Sequence, residues 1–437
     1  MPMKPINWVR VLLAGILVLG LTQSAACSGP PAAKTPAAQG RRTGVKLQEE
    51  DGGPDYYAHF SPSFPADPSF FPIGVWLAAV NQESEITSDQ AAGLNTYVAL
   101  TDNSDFGLVA SSDMYLISNK PPAEGNRAVG WFVSDEADMW GGPGSGAATD
   151  GGCLSAASCG YTVQREVLSE LPDDHRFRFA NYGKGVIFWE SNSQAARFVD
   201  DYQNIVSDDV YWFTDESVCL SAADAGWYPG KPVRGALPPQ LCHLAANYGR
   251  TVDRVRQLAK DKEPVWAYIE LGHPFTENNW PSITPQQVVA AVWQSLIAGA
   301  RGIIYFNNSF GGPCVTDNVL RDPCYAQIRA AVTMVDSEIR SLAPVLNAPF
   351  ADGVVKAGPG VNISTKWYGG HFYVLAGSTE PAAQTVTFSM PCAGSATVAV
   401  LNENRTIHAN HGVFEDRFAD GNAVHIYRID GGSSCGA

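Results

Sequence analysis

The amino-acid sequence predicts a (β/α)8 barrel followed by a small C-terminal β-sandwich. From about Phe70 onward, short runs rich in β-branched and aromatic residues alternate with longer segments of helical periodicity. Such alternation is typical of a parallel sheet covered by helices, and eight units suit a closed barrel. From about Gly353, short alternating runs separated by turn residues indicate an antiparallel sandwich. A doubly wound open sheet is the competing fold for the first part, but no GxGxxG sequence follows the first strand.

Eight apolar runs are predicted to form the barrel strands, and several intervening helices carry end signals. Thr87-Ser-Asp-Gln90 resembles a capping box opening a helix that reaches Leu94, and Thr284-Pro-Gln-Gln287 resembles another that opens a helix to Ala300. Residues 244–260 form the clearest amphipathic pattern. The predicted strands are 71–77, 95–101, 115–117, 128–136, 177–182, 209–214, 264–270 and 302–306.

The chain divides into four predicted segments. They are an export signal over 1–27, a flexible tether over 28–54, the barrel over 55–345 and the sandwich over 346–437. Basic residues precede an apolar run at 11–21 that is too short to span a bilayer. Ser24-Ala-Ala-Cys27 resembles a bacterial lipoprotein cleavage box, in which Cys27 carries the lipid. We therefore expect an exported protein, lipid-anchored at the outer face of a bacterial cell membrane; ordinary secretion is the alternative.

Composition excludes several partners. Only 17% of the 437 residues are charged and the formal net charge is −15, so there is no basic stripe for nucleic acid, and an anionic membrane surface would repel the body. Beyond Cys27 the cysteine count is even, which in an exported chain implies disulfides. Proximity suggests the pairs 153–159, 219–242, 314–324 and 392–435. Without CxxC or histidines at ligand spacing, no metal or other cofactor is expected.

Two of the predicted strands end in acidic residues, Asp135-Glu136 in one and Glu270 in the other. Because the carboxyl ends of barrel strands share one mouth, these side chains are expected to face one pocket. The charge of Asp135 should raise the pKa of Glu136. A protonated acid and an ionised carboxylate on opposite sides of a sugar ring are what cleavage of a glycosidic bond requires. Helix capping or ion pairing is the plainer explanation for either acid.

Further side chains near the predicted mouth are expected to bind a sugar substrate. Asp215 and Glu216 follow the sixth predicted strand and form a reserve for the nucleophile. Aromatic rings in loops beyond the key acids suit the faces of sugars. The expected substrate-binding residues are Asp135, Trp140, Asp215, His273, Trp280 and Asn307. No GxSxG elbow, Cys–His pair, P-loop or HExxH appears.

The layout as a whole resembles a large clan of (β/α)8 retaining glycoside hydrolases. Residues 287–306 are similar to the last barrel unit of such enzymes, and 412–427 to their accessory β-domain. The resemblance implies that Glu136 is the acid/base and Glu270 the nucleophile of a double displacement on an extracellular or cell-wall glycan. Most of the clan have Asn before the acid/base, where it binds the sugar 2-hydroxyl; Asp135 stands there in this chain. A surface glycan-binding lipoprotein without catalysis is the alternative.

Overall fold

In a computed structural model, eight parallel strands close into a barrel in which each strand is bonded to its sequence neighbours and the eighth to the first. The structure describes residues 45–120, 127–139, 159–228, 235–430 and 435. The predicted barrel is confirmed. Its strands are β1 (Ile73–Ala78), β2 (Thr96–Leu100), β3 (Tyr115–Ser118), β4 (Ala128–Asp135), β5 (Phe177–Tyr182), β6 (Ile205–Asp208), β7 (Val265–Glu270) and β8 (Ile303–Phe306).

Helices cover the outside of the barrel. The ones described are α1 (Glu83–Ala92), α2 (Phe106–Ala110), α3 (Gly160–Glu170), α4 (Asn192–Asp201), α5 (Val218–Asp224), α6 (Pro239–Cys242), α7 (Ala246–Ala259), α8 (Pro285–Ile297) and α9 (Ala326–Leu346). The start of α8 follows the sequence prediction, because Thr284 caps it through the N–H of Gln287 and Pro285 occupies its first turn. Within the described ranges, no helix combines the length and the apolar composition needed to cross a bilayer.

Alternation along the strands divides the core in two. In β7, Trp266 and Tyr268 pack in the barrel interior, whereas Val265, Ala267 and Ile269 pack toward the helices. Aromatic side chains fill much of the interior, which is therefore a packed core rather than a pore.

Two predicted elements are wrong in position. The helix predicted to open at Thr87 begins at Glu83, because Gln82 and Glu85 form the capping box and Thr87 lies inside the helix. The sixth strand lies at 205–208 rather than 209–214. Val210 and residues 212–214 are buried because they belong to a loop that covers the end of β7, not because they pair with a neighbouring strand, and Tyr211 stays partly exposed.

In the described chain, the C-terminal part has the strands β9 (Lys356–Ala357), β10 (Val361–Tyr368), β11 (His371–Ser378), β12 (Gln384–Ser389), β13 (Ala396–Val400), β14 (Arg405–Ala409), β15 (Val413–Phe418) and β16 (Val424–Ile429). They form two antiparallel sheets, one ordered β10-β11-β16-β13-β14 and the other β15-β12-β9. Aromatic side chains from both sheets meet between them, such as Phe388 with Tyr427 at 5.2 Å between ring centroids. The predicted all-β domain is confirmed. The sequence predicts strands at 372–375, 385–388, 397–401 and 424–427 and a strand start at 412–416, but it does not predict β9, β10 and β14.

Residues 48–51, placed in the flexible tether by the sequence, pack against the folded body instead. Gln48 bridges to Phe350, and the buried carboxylate of Glu50 pairs with the ammonium of Lys366 on β10. Arg301, before β8, also approaches Glu50, at 3.2 Å. Asp51 accepts two hydrogen bonds from Arg256 of α7. Buried acids need such partners, and these connect the segment to both domains.

Three of the four predicted disulfides are present, namely Cys219–Cys242, Cys314–Cys324 and Cys392–Cys435. The fourth prediction pairs Cys159 with Cys153, which lies outside the described residues. Cys159 itself is disulfide-bonded.

Candidate active site

Two acidic side chains meet above the carboxyl end of β5. The N–H of Glu136, just after β4, donates to the carbonyl of Asn181 at 2.9 Å, and the N–H of Asp209, just after β6, donates to the carbonyl of Tyr182 at 2.9 Å. The two residues therefore flank the end of β5, and the charge of Glu136 acts on Asp209. Gly183 leaves room for this, since a Cβ there would lie 2.8 Å from Oε1 of Glu136.

The backbone of Glu136 is strained. Its φ of +48° lies in the left-handed region, which residues with a Cβ rarely adopt. Strain of this kind is often found at functional sites, where the surrounding structure holds it in place. Here the bond from Glu136 N–H to β5 holds the residue after the strand has ended.

The electrostatics of this cluster favour a protonated Glu136. Burial, followed by the charges of Asp135 and Asp138, raises the pKa of Glu136 to about 8 against the opposing effects of Lys184 and Asp209. The charge of Asp135 therefore raises the pKa of Glu136 as predicted, but burial contributes more to that rise. At neutral pH a partly exposed carboxyl group with this pKa retains its proton and can act as a general acid.

Asp135 is held beside Glu136 by a short polar chain. Ser207 donates to Oδ1 of Asn181 at 2.6 Å, and Nδ2 of Asn181 donates to Oδ1 of Asp135 at 2.9 Å. Burial raises the pKa of Asp135 to about 6, and the bond from Asn181 opposes this. Asp135 is partly exposed and faces the mouth with one carboxylate oxygen fixed.

Glu270 lies at the same end of the barrel but in different surroundings. Its side chain is fully buried and accepts hydrogen bonds from the N–H of Phe213 at 2.8 Å and from the hydroxyls of Thr214 and Tyr248. Burial raises the pKa of Glu270 to about 7, while these three donors lower it. The charge that acts on Glu270 is that of Asp215 rather than those surrounding Glu136.

Aromatic side chains form a connected series around the acids. Trp76 contacts Phe132 at 5.0 Å and Tyr268 at 6.0 Å between ring centroids. On the other side, Tyr211 contacts Phe306 at 5.2 Å and Phe275 at 5.8 Å, and Phe275 contacts Trp280 at 4.9 Å. The rings left partly exposed at the mouth include Phe132, Tyr211, Phe275 and Trp280. Partly exposed rings of this kind offer flat apolar faces to a sugar.

Three predicted substrate ligands, Asp215, His273 and Asn307, have hydrogen-bond or ion-pair partners within the folded chain. Asp215 is buried, pairs with Lys184 and accepts from Ser217. His273 is fully buried, with Nδ1 at 3.1 Å from the hydroxyl of Ser282 and Nε2 at 3.1 Å from the carbonyl of Glu277.

Asn307 donates to Asn318 and accepts from the N–H of Leu320 in the loop after β8. The roles of these three residues toward a substrate stay predictions. Trp140 lies outside the described residues, and Trp280 remains a predicted substrate residue.

Sequence reasoning missed Asp209, Tyr211 and Tyr268. Asp209 was assigned to the start of the sixth strand, although the pair Asp208-Asp209 follows Ile205-Val206-Ser207, whose β-branched residues indicate a strand that ends at the acids. Tyr268 stands two residues before Glu270, and the alternation of a strand places both on one face. For Tyr211 the sequence offers no separate signal.

One trio of side chains has the spacing of metal ligands in the described part of the chain, namely Cys219, Cys242 and His243. The two sulfur atoms are bonded to each other, so they are not thiolate ligands. This trio therefore does not fit a metal.

Comparison with known proteins places the fold but not the family. No protein-family model and no curated protein matches the sequence. Among solved structures, one titled a glycoside hydrolase matches with a TM-score of 0.50 and 12% identity over 83% of this chain and 93% of that chain. A glycoside hydrolase family 5 structure from Bacteroides vulgatus has a TM-score of 0.47 and 11% identity over 83% and 89%. An α-amylase from Geobacillus thermoleovorans in complex with acarbose has a TM-score of 0.45 and 10% identity over 83% of this chain and 98% of that chain.

Proposed function

We propose that this protein is a glycoside hydrolase whose active site lies at the carboxyl end of the barrel strands. The observation that carries the proposal is Glu136, a partly exposed carboxyl group whose pKa is raised to about 8 beside further acids. Aromatic rings suited to sugar faces surround it. A group that keeps its proton at neutral pH supplies the acid that a departing glycosidic oxygen requires.

In the proposed mechanism Glu136 donates its proton to the departing oxygen, and Glu270 attacks the anomeric carbon. Three donors fix the orientation of the Glu270 carboxylate. The covalent intermediate is then hydrolysed by water that Glu136 deprotonates, which gives retention. Because Glu270 is fully buried, the loop over 211–214 has to move away when substrate binds, which removes the donors on Phe213 and Thr214 and leaves the hydroxyl of Tyr248 to orient the carboxylate.

A second function, glycan binding without catalysis, is favoured by that same burial of Glu270. On this alternative, Glu270 anchors the loop over 211–214 and the mouth only binds sugar. The acidic mouth and the aromatic rings would serve either function, so turnover is the deciding measurement.

The test uses a panel of aryl glycosides and cell-wall polysaccharides with the wild type, Glu136→Gln and a matched surface control, Glu166→Gln on the exposed face of α3. Hydrolysis that falls by roughly 10²–10⁴ in Glu136→Gln and is unchanged in Glu166→Gln supports the hydrolase. Glycan binding without turnover in the wild type would overturn it in favour of the binding module.

We also propose that the protein is exported and lipid-anchored through Cys27, and that it acts on an extracellular or cell-wall glycan. The three disulfides support an oxidising compartment. Metabolic labelling with palmitate is expected to mark the wild type and not Cys27→Ser. Equal labelling of both would refute the anchor.

A further inference from the structure

The acids at the mouth point to a class of substrate, an inference that rests on the proposed function. We propose that the sugar bound at the mouth carries a free ammonium group, held by Asp135, Asp209 and the hydroxyl of Tyr268. The substrate is then a glycan that contains de-N-acetylated amino sugars. A neutral or N-acetylated glycan lacks the charge that this arrangement recognises.

The first observation is a concentration of carboxyl groups. Asp135, Glu136 and Asp209 lie together, and Asp138 lies close enough to act on Glu136. Among the described residues, the cation that acts on Glu136 is Lys184, whose ammonium is already bound to Asp215 and Ser217. Burial and mutual repulsion favour the protonated forms of these acids, so a neutral ligand leaves them protonated, whereas a cationic ligand favours their ionised forms and pairs with them.

The second observation is independent of the acids. The hydroxyl of Tyr268 on β7 has no hydrogen-bond partner among the described residues, although the side chain is only 2% exposed. It lies where it feels the charges of Asp135, Asp209 and Glu136. A buried phenol without a partner is rare in a protein, and here the charges that act on it are those of the acidic cluster.

These groups match the hydrogen-bonding capacity of an ammonium. Oδ1 of Asp209 is buried and accepts from no donor in the described structure, and Asn181 bonds to only one oxygen of Asp135. With the Tyr268 oxygen they offer three acceptors, and a primary ammonium has three N–H donors. The rings of Tyr211 and Trp76 border the same space and suit a cation.

A divalent metal ion fits less well. In the described chain, the trio with the spacing of metal ligands is Cys219, Cys242 and His243, and no group of acids at the mouth has such spacing. Calcium takes six to eight oxygen ligands, most of them from carboxylates and carbonyls. A phenol hydroxyl and aromatic faces are better suited to an organic cation.

The first experiment measures binding by calorimetry. Chitosan tetrasaccharide, chitin tetrasaccharide, cellotetraose and Ca²⁺ alone are titrated into the full-length protein at a pH where the chitosan amines are charged. Chitosan tetrasaccharide is expected to bind at least about tenfold more tightly than the other two sugars. Equal affinity for all three sugars, or binding of Ca²⁺ alone, would overturn the inference.

Variants assign the effect to the mouth. Asp135→Asn keeps the shape and removes the charge, so the ratio of the affinities for chitosan tetrasaccharide and cellotetraose is expected to fall about tenfold. The matched control is Asp102→Asn. Asp102 is an exposed acid after β2 that pairs with Lys120, and its replacement is expected to leave the preference for chitosan tetrasaccharide unchanged. A preference that survives in Asp135→Asn would refute the assignment.

Hydrolysis of the same oligosaccharides separates this inference from the proposed function. Cleavage of a neutral glycan without preference for chitosan would overturn the inference and leave the hydrolase intact. Asp135-dependent binding of chitosan without any turnover would support the inference and refute the hydrolase. Absence of binding to every oligosaccharide would overturn both.

Discussion

Replacing Tyr248 by phenylalanine removes one of the three donors to the Glu270 carboxylate and changes nothing else in size or shape. The other two donors, the N–H of Phe213 and the hydroxyl of Thr214, stay in place. A hydrogen bond to a charged group contributes about 1.5–3 kcal/mol. Because it stabilises the ionised form, its loss should raise the pKa of Glu270 by about 1–2 units above its value of about 7.

The assay is the pH dependence of kcat/KM, which reports the pKa values of the free enzyme. If Glu270 is the nucleophile, it must be ionised, so activity rises as pH rises through its pKa. In Tyr248→Phe this rising limb is expected to move up by about 1 unit, to the pKa of about 8 of Glu136, and the maximal kcat/KM is expected to fall because fewer molecules then combine a protonated Glu136 with an ionised Glu270. Phenylalanine at Tyr325, whose hydroxyl bonds to Ser309 and the carbonyl of Cys314 away from the acids, is the matched control and should leave the limb unmoved.

Stability provides a second, separate measurement. Above the pKa of Glu270 the free energy of unfolding of Tyr248→Phe should fall by about 1.5–3 kcal/mol in urea denaturation. A clear loss of stability with an unmoved rising limb would refute the nucleophile and leave Glu270 as an anchor of the loop over 211–214.

The remaining predictions concern the acid, its setting and the N-terminal segment. A Cβ at Gly183 would lie 2.8 Å from Oε1 of Glu136, so Gly183→Ala should lower kcat by roughly 10–100-fold in steady-state assays while its denaturation midpoint stays the same; unchanged kcat would contradict this. Because Glu136 acts in its protonated form with a pKa of about 8, wild-type activity should fall as pH rises through that value, and a pH profile without this limb would count against Glu136. Glu50→Gln leaves the ammonium of Lys366 buried without its counterion, so the free energy of unfolding in urea should drop by about 3–5 kcal/mol, and adding Lys366→Met should restore part of it; a loss below about 1 kcal/mol would argue against the pair.

Local sequence patterns were sufficient for most of the fold. Strand and helix periodicities placed seven of the eight barrel strands within a few residues, since each run is both apolar and bounded by turn residues. The sixth strand failed because 210–213 is as apolar as a strand and is buried for another reason, namely that it covers Glu270. The strand Val361–Tyr368 was missed because its polar residues weaken the alternation that antiparallel pairing with β11 imposes.

The site was predictable only where it lies directly at a strand end. Asp135 is the last residue of β4 and Glu136 follows it directly, so their place at the mouth could be inferred. The proximity of Asp209 to Glu136 depends on two separate strands flanking β5 and on the missing side chain of Gly183, which no local pattern reveals. The hydrogen-bond partners of His273 and Asn307 lie in their own loops, and no sequence pattern identifies them because they meet only in the folded loops.

The attachment of residues 48–51 sets an order on biosynthesis. Glu50 leaves the ribosome before any barrel strand, whereas Lys366 follows only after the whole barrel has been made. Before Lys366 has been synthesised, burial of Glu50 and Arg301 is unfavourable, so both side chains stay hydrated. Final closure of the molecule therefore waits for the last domain, and a barrel expressed from the first strand onward would lack the acids that neutralise Arg256 and Lys366.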